Sequence, residues 1–209
     1  MHFLFVLFLA ITTSTFGSPL TPEIIATDIL APLLDPVKIA TLKGDRPVNS
    51  RLYKVLYWVE FACTVGGDVS FIIDRAQVTS GYQDTQRAKA DKIAIISNRK
   101  KLQDYGCFTK EGMERLRKGQ SPQITKGSYA GSSIALDHVL PRSVVPELDA
   151  RFFNLEVMPA EVNLKKAAII GDNEVSQGRR WNQMGLLSFA GLEAIERSNN
   201  QRKKSYQSN

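Results

Sequence analysis

A chain of 209 residues, 43% of them hydrophobic, is long enough to bury the sizeable core of one domain. Its formal net charge of +6 and pI near 9.3 favour phosphate-bearing partners through salt-sensitive attraction, although solvated lysines alone give the same composition. Two widely separated cysteines, with His138 the only histidine beyond the N-terminus, do not supply a four-ligand zinc-finger set.

The first segment, residues 1–17, reads as a secretory signal peptide. Phe3 to Ile11 are uninterruptedly apolar but too few to span a bilayer comfortably, and Gly17 and Ser18 offer small residues at a cleavage point. Its positive n-region is weak, with only His2 and the amino terminus available. The expected mature protein is residues 18–209, one soluble domain, secreted or periplasmic, with no stable membrane association. In an oxidising compartment Cys63 and Cys107 are expected to form one disulfide across a long loop, worth roughly 3–4 kcal/mol in the chain-entropy model. Two separately buried thiols are the alternative.

Residues 18–118 read as mainly helical. Thr21-Pro22-Glu23 supplies a cap and a proline at the first helical position, and Ile24, Ile25, Ile29 and Leu33 follow until Pro36 interrupts. A loop covers residues 41–47. From Arg51, the spacing of Leu52, Val55, Leu56, Val59, Ala62 and Cys63 predicts a buried helical face, stopped by Gly66-Gly67. Tyr53, Tyr57 and Trp58 fit core packing better than base stacking. Val69, Ile72, Ile73 and Ala76 predict another helix, and Gly81 separates it from a long segment, Thr85 to Leu102, that mixes basic residues with Ala88, Ile95, Ile96 and Leu102. Thr109 starts a shorter helical pattern with Met113 and Leu116. Gly, Ser, Pro and Thr then dominate residues 119–133, which read as a loop or interrupted strand. Residues 171–209 are expected to form a helical, basic tail.

The period changes over residues 133–170. Ser133 to Leu136 suits a strand ending at Asp137-His138, and Pro141 and Pro146 break the chain after it. Asn154-Leu155-Glu156-Val157-Met158 alternates as a second strand, Pro159 ends it, and Ala160 to Ile169 favours a helix with Asn163 and Lys166 on one face. The fold class expected is therefore α+β, a mostly helical N-terminal region packed against a C-terminal strand–loop–strand–helix element. One imidazole beside a carboxylate, with two nearby amides, suits water activation next to a hard divalent ion.

The runs LDHVLPRS, FFNLEVMP and AEVNLKKA resemble the HNH, or ββα-metal, nuclease family. The resemblance implies a phosphodiester-hydrolysing endonuclease and assigns residues in turn. His138 would be the general base that takes the proton of the attacking water. Asp137 and Asn163 would bind the metal. Asn154 would tie down the intervening loop and orient the histidine, a role counted with the catalytic set. Lys166 would contact phosphate. Many relatives carry histidine where this chain has Asn163, and some hold a zinc with paired cysteines that are missing here. The resulting all-oxygen pair, Asp137 and Asn163, suits one Mg²⁺ first and Mn²⁺ second, better than a nitrogen-rich zinc site. Arg142 is a phosphate contact from the loop or an ion-pair partner of Glu147 or Asp149. Nucleic acid, DNA above RNA, is the expected partner, cut with weak sequence selectivity. A nucleic-acid-binding protein that keeps the element without catalysis is the second reading. A polysaccharide hydrolase is a third, but Glu147, Asp149, Glu156 and Glu161 show no spacing that establishes a carboxylate pair.

Overall fold

The structure, a computed structural model, describes residues 19–42, 44–166 and 168–207; the signal segment expected over residues 1–17 lies outside the described residues. The chain is α+β and mostly helical, with one two-stranded antiparallel sheet. Thr21 caps α1 (Pro22–Ile24) by accepting the Ile24 N–H. The helix continues through a π-helical stretch, Ile25–Leu30, into α2 (Ala31–Leu34). Asp35 then accepts the Val37 and Lys38 N–H groups, so Pro36 opens α3 (Pro36–Ala40) rather than merely breaking α2. The long α4 (Asp45–Thr64) begins six residues ahead of the predicted buried face. It is followed by α5 (Val69–Thr79), α6 (Gln86–Asp104) and α7 (Lys110–Arg117). Asp68, Thr85 and Thr109 cap the last three with side-chain oxygens.

Residues 119–133 form a pinned loop. Ile124 is buried, Gln123 and Ser133 make an isolated bridge, and the Thr125 and Lys126 N–H groups donate to the Tyr105 carbonyl. Strand β1 (Ile134–His138) pairs with β2 (Leu155–Pro159), with Asp137 opposite Glu156 and His138 opposite Leu155. The second strand thus starts one residue later than its alternation predicts, because Asn154 still belongs to a short 3₁₀ turn, Phe152–Asn154. Helix α8 (Ala160–Lys166) follows β2 directly and is shorter than the predicted run to Ile169. Helices α9 (Asp172–Gln183) and α10 (Phe189–Gln207) form the C-terminal tail. Among the described residues no helix is long and apolar enough to cross a membrane.

Two apolar clusters divide the interior. The larger joins α4, α5, α6 and the inner face of the hairpin, with Leu52, Leu56, Ile72, Ile95, Phe152 and Val157 all fully buried. The smaller gathers Leu140, Leu148, Phe153, Trp181 and Ile195 around α9 and α10. Phe152 and Phe153 are adjacent in sequence and enter different clusters, so the turn before β2 rivets both. Tyr53 is buried, and Tyr57 and Trp58 pack against the larger cluster with Phe61, in agreement with a packing role.

Helix α6 joins the helical region to the hairpin through buried polar groups. The Asn98 side chain donates to the Leu155 carbonyl and accepts the Val157 N–H, both at 2.8 Å. Its amide acts as a third strand one residue long, satisfying the outer edge of β2. Two helical turns earlier Asp91, fully buried, accepts the Phe153 N–H at 3.0 Å and faces Arg87 at 3.5 Å. Burial pushes the Asp91 carboxyl up to about 6, with the Arg87 charge opposing.

The bridge expected between Cys63 and Cys107 is not formed in this structure: both are free thiols, one half-buried at the end of α4 and one buried after α6. Burial pushes the Cys107 thiol up to about 12, which leaves almost no thiolate for exchange.

Replacing Asn98 by alanine strands one buried N–H and one buried carbonyl, so Asn98→Ala is expected to cost about 2–4 kcal/mol. Urea unfolding measures this, and a loss below about 1 kcal/mol would mean that the strand edge finds other partners. Asp91 adds a pH dependence of definite sign. Its folded value, about 6, lies above the ordinary 3.8, so between these pH values the folded chain binds the extra proton. The contribution of Asp91 to stability therefore grows as pH falls through this window and shrinks as it rises. Unfolding midpoints of the wild type relative to Asp91→Asn should shift in favour of the wild type from pH 7 to pH 4.5; an unchanged or reversed difference would refute this account.

Candidate active site

The hairpin ends and α8 surround a polar cleft of about 300 Å³, lined by Asp137, His138, Pro141, Arg142, Ser143, Asn163 and Ala168. Asp137 and His138 are the last two residues of β1, while Asn163 lies midway along α8. The helix is set against the strands because the Ala160 N–H donates to the Ser133 carbonyl, beside the start of β1. Four side chains singled out in the sequence thus line one cleft: Asp137, His138, Asn163 and Arg142.

Asn154 does not reach that cleft. It is fully buried and acts through the loop between the strands. Its side-chain oxygen accepts the Leu140 N–H at 2.8 Å, and its Nδ2 donates to the Leu140 carbonyl at 3.0 Å and the Leu148 carbonyl at 3.2 Å. Its own carbonyl accepts the Val139 N–H at 2.8 Å. The primary amide replaces a peptide partner at the place where the chain leaves the β1–β2 ladder. Asn154 is therefore a positioning residue and is separated from the catalytic set in which the sequence reading placed it.

That loop carries Asp149 back to the histidine. His138 Nε2 lies 3.2 Å from the Asp149 carbonyl oxygen and 3.2 Å from its Oδ1. A carbonyl and a carboxylate oxygen only accept, so Nε2 is the donor in this arrangement. A neutral imidazole held this way can accept a proton at Nδ1. Arg142 Nη1 lies 3.9 Å from the same Asp149 oxygen, so the ion-pair alternative for Arg142 is present alongside its place in the cleft wall. Sequence reading weighed Asp149 only as an ion-pair partner or a glycosidase carboxylate. It lies eleven positions after His138, across the loop between the strands, and no local pattern marks the contact.

Lys166 is more heavily engaged than a phosphate contact would be. Its ammonium donates to Asp137 Oδ2 at 2.7 Å, Glu156 Oε1 at 3.1 Å and the His138 carbonyl at 3.2 Å. A lysine has three N–H donors, and all three are used. Burial disfavours this ammonium, but hydrogen bonding and charge from Asp137 and Glu156 outweigh it and hold its pKa above the usual lysine value. Lys101 meets the other oxygen of Glu156 at 2.9 Å. Burial likewise disfavours the Glu156 carboxylate, and the two lysines more than compensate, holding its pKa below the ordinary value. Lys101, Glu156, Lys166 and Asp137 thus form a row of alternating charges. Glu156 faces Asp137 across the strands, which only the register reveals.

Asp137 and Asn163 offer hard oxygen donors to one cleft, a set that fits Mg²⁺ or Mn²⁺. Lys166 takes one Asp137 oxygen and leaves Oδ1 for an ion. Among the described residues no group of three or more His, Cys, Asp and Glu side chains is arranged to hold a metal, so waters and substrate oxygens would complete such a shell.

The chain matches no family model, no curated protein and no solved structure.

Removing the Asn154 amide leaves three loop backbone groups without their partner. Asn154→Ala should therefore abolish the amide-exchange protection of Leu140 and spread faster exchange over the loop between the strands. Unchanged protection at Leu140 would show that the loop is held by its apolar contacts alone.

Proposed function

We propose that the protein is a secreted, metal-dependent endonuclease of the HNH, or ββα-metal, kind that hydrolyses phosphodiester bonds, with DNA as the favoured substrate and little sequence selectivity. The observation that carries this reading is the convergence of Asp137, His138 and Asn163 on one polar cleft, with Asn154 and Asp149 setting the loop and the imidazole. Secretion rests on the N-terminal sequence pattern.

Asp137 and Asn163 would hold the ion, which when bound supplies positive charge beside the phosphate. His138 takes a proton at Nδ1 as the water oxygen bonds to phosphorus. The P–O3′ bond breaks, the departing oxygen takes a proton from water, and the products end in a 5′ phosphate and a 3′ hydroxyl. Asp149 stabilises the imidazolium that forms, because its carboxylate already lies against Nε2. Lys166 holds Asp137 in place through its Oδ2 contact; turning to a phosphate requires it to release one carboxylate. Arg142, on the cleft wall, is placed for backbone contact. The basic surface then binds many sequences through their phosphates, with strong salt dependence.

Nucleic-acid binding without cleavage has one observation in its favour, the saturation of Lys166 by Asp137, Glu156 and the His138 carbonyl. Mg²⁺-dependent cutting of plasmid DNA, abolished by chelator, decides between the two. His138→Ala is expected to lower cleavage by about 10²–10⁴-fold while leaving the fold and Mg²⁺ affinity intact. Asp137→Ala should weaken both ion binding, read by calorimetry, and turnover. Wild-type cleavage rates in contamination-controlled His138→Ala would overturn the assignment.

A further inference from the structure

Beside the cleft, α6, the hairpin and α9 enclose an apolar slot of about 350 Å³. Phe153 and Trp181 build one wall, packed edge to face at 5.0 Å, and Ile93 and Ala94 of α6 build another. Ile93 is 67% exposed, an apolar side chain left open at the slot. The slot is bound to the candidate active site by continuity of the chain. Val139, on its lining, directly follows His138, and Glu156, also on its lining, holds Lys166 of the Asp137 pair.

The polar groups on its lining narrow the choice of occupant. Arg180 is exposed there and has no ion-pair partner among the described residues. Gln177 and Ser97 add an amide and a hydroxyl. Apolar walls that include the edge of an aromatic pair, hydrogen-bonding groups and a guanidinium without an ion-pair partner among the described residues match a heterocyclic base joined to a phosphate. They match a purely apolar tail poorly, since Arg180, Lys101 and Glu156 would gain nothing from it. The chain's positive excess is in the same sense.

We propose that this slot receives one unpaired base of a nucleic-acid strand, with the neighbouring phosphate on Arg180. The inference rests on the nuclease reading and adds a preference for single-stranded or frayed substrate. A base seated there holds the strand against Val139, the residue next to His138. Glu156 and Lys101, paired at 2.9 Å, lie on the slot's lining and not on that of the cleft.

The test is a titration of the full mature chain with 5′-phosphorylated tetrathymidylate in chelator, where no cleavage occurs. The chain has two tryptophans, so Trp58→Phe leaves Trp181 as the sole tryptophan reporter. Saturable quenching of Trp181 is expected. Arg180→Glu, on the exposed rim, and Ala94→Phe, which fills the slot, should each weaken it by about tenfold or more. Both should leave Mg²⁺-dependent cutting of blunt duplex within about twofold and raise KM for single strands. Equal tetranucleotide affinity in wild type and both variants, or no effect on Trp181, overturns the slot assignment; duplex cutting by the same samples leaves the nuclease reading in place. Quenching by an uncharged amphipathic helical peptide but not by the tetranucleotide also overturns it, in favour of a protein partner. Slot binding with no cleavage of any substrate overturns the nuclease reading instead.

Discussion

A two-stranded sheet has two bare edges, and a hairpin of this kind is barely stable alone in water. Here the edge of β2 is closed by the side-chain amide of Asn98, which supplies one donor and one acceptor from a helix. Asp91, on the same face of α6, repeats the device on the Phe153 N–H. The candidate site depends on these contacts, because β1 and β2 carry or position its groups. If β2 slipped by one residue on α6, the Asp137–Glu156 pairing and the place of Asn154 would change together.

Buried polar groups are costly, and this molecule concentrates them along one line from α6 to the loop between the strands. Asn98, Asp91 and Asn154 are each buried and each serve backbone groups that the two-stranded ladder leaves unpaired. Hydrophobic packing fixes the neighbours: Phe152 and Phe153 anchor the same short turn in two separate clusters. Apolar anchoring and amide clamps together hold a polar loop rigid enough to bring Asp149 to within 3.2 Å of His138.

The charged groups beside the cleft balance one another. Asp137 is neutralised by Lys166, Lys166 is shared with Glu156, and Glu156 is shared with Lys101. Lys166 cannot turn to another partner without giving up one of these bonds, because all three of its donors are used. A chain with an excess of basic residues elsewhere keeps long-range attraction for polyanions even while this cluster stays near neutrality.

The sequence by itself determined the helical spacing of α4, α5 and α7, the helix start at Thr109, and the switch to a period of two around Asp137 and Leu155. These are local properties, set by side-chain spacing and by groups within three or four residues of one another. The order of Asp137, His138, Asn154, Asn163 and Lys166 was legible for the same reason. Tertiary structure alone decided what those residues touch. No local pattern singles out Asn98 or Asp91, because their partners lie about sixty residues away. Asp149 was hidden by an irregular loop, Glu156 by a strand register, and the slot beside α9 by the meeting of three distant segments. The cysteines could be paired on paper by compartment and number, whereas the fold leaves both as free thiols, one buried and one half-buried. Periodicity records which side of an element is apolar; it carries no record of which distant backbone group a buried amide will satisfy.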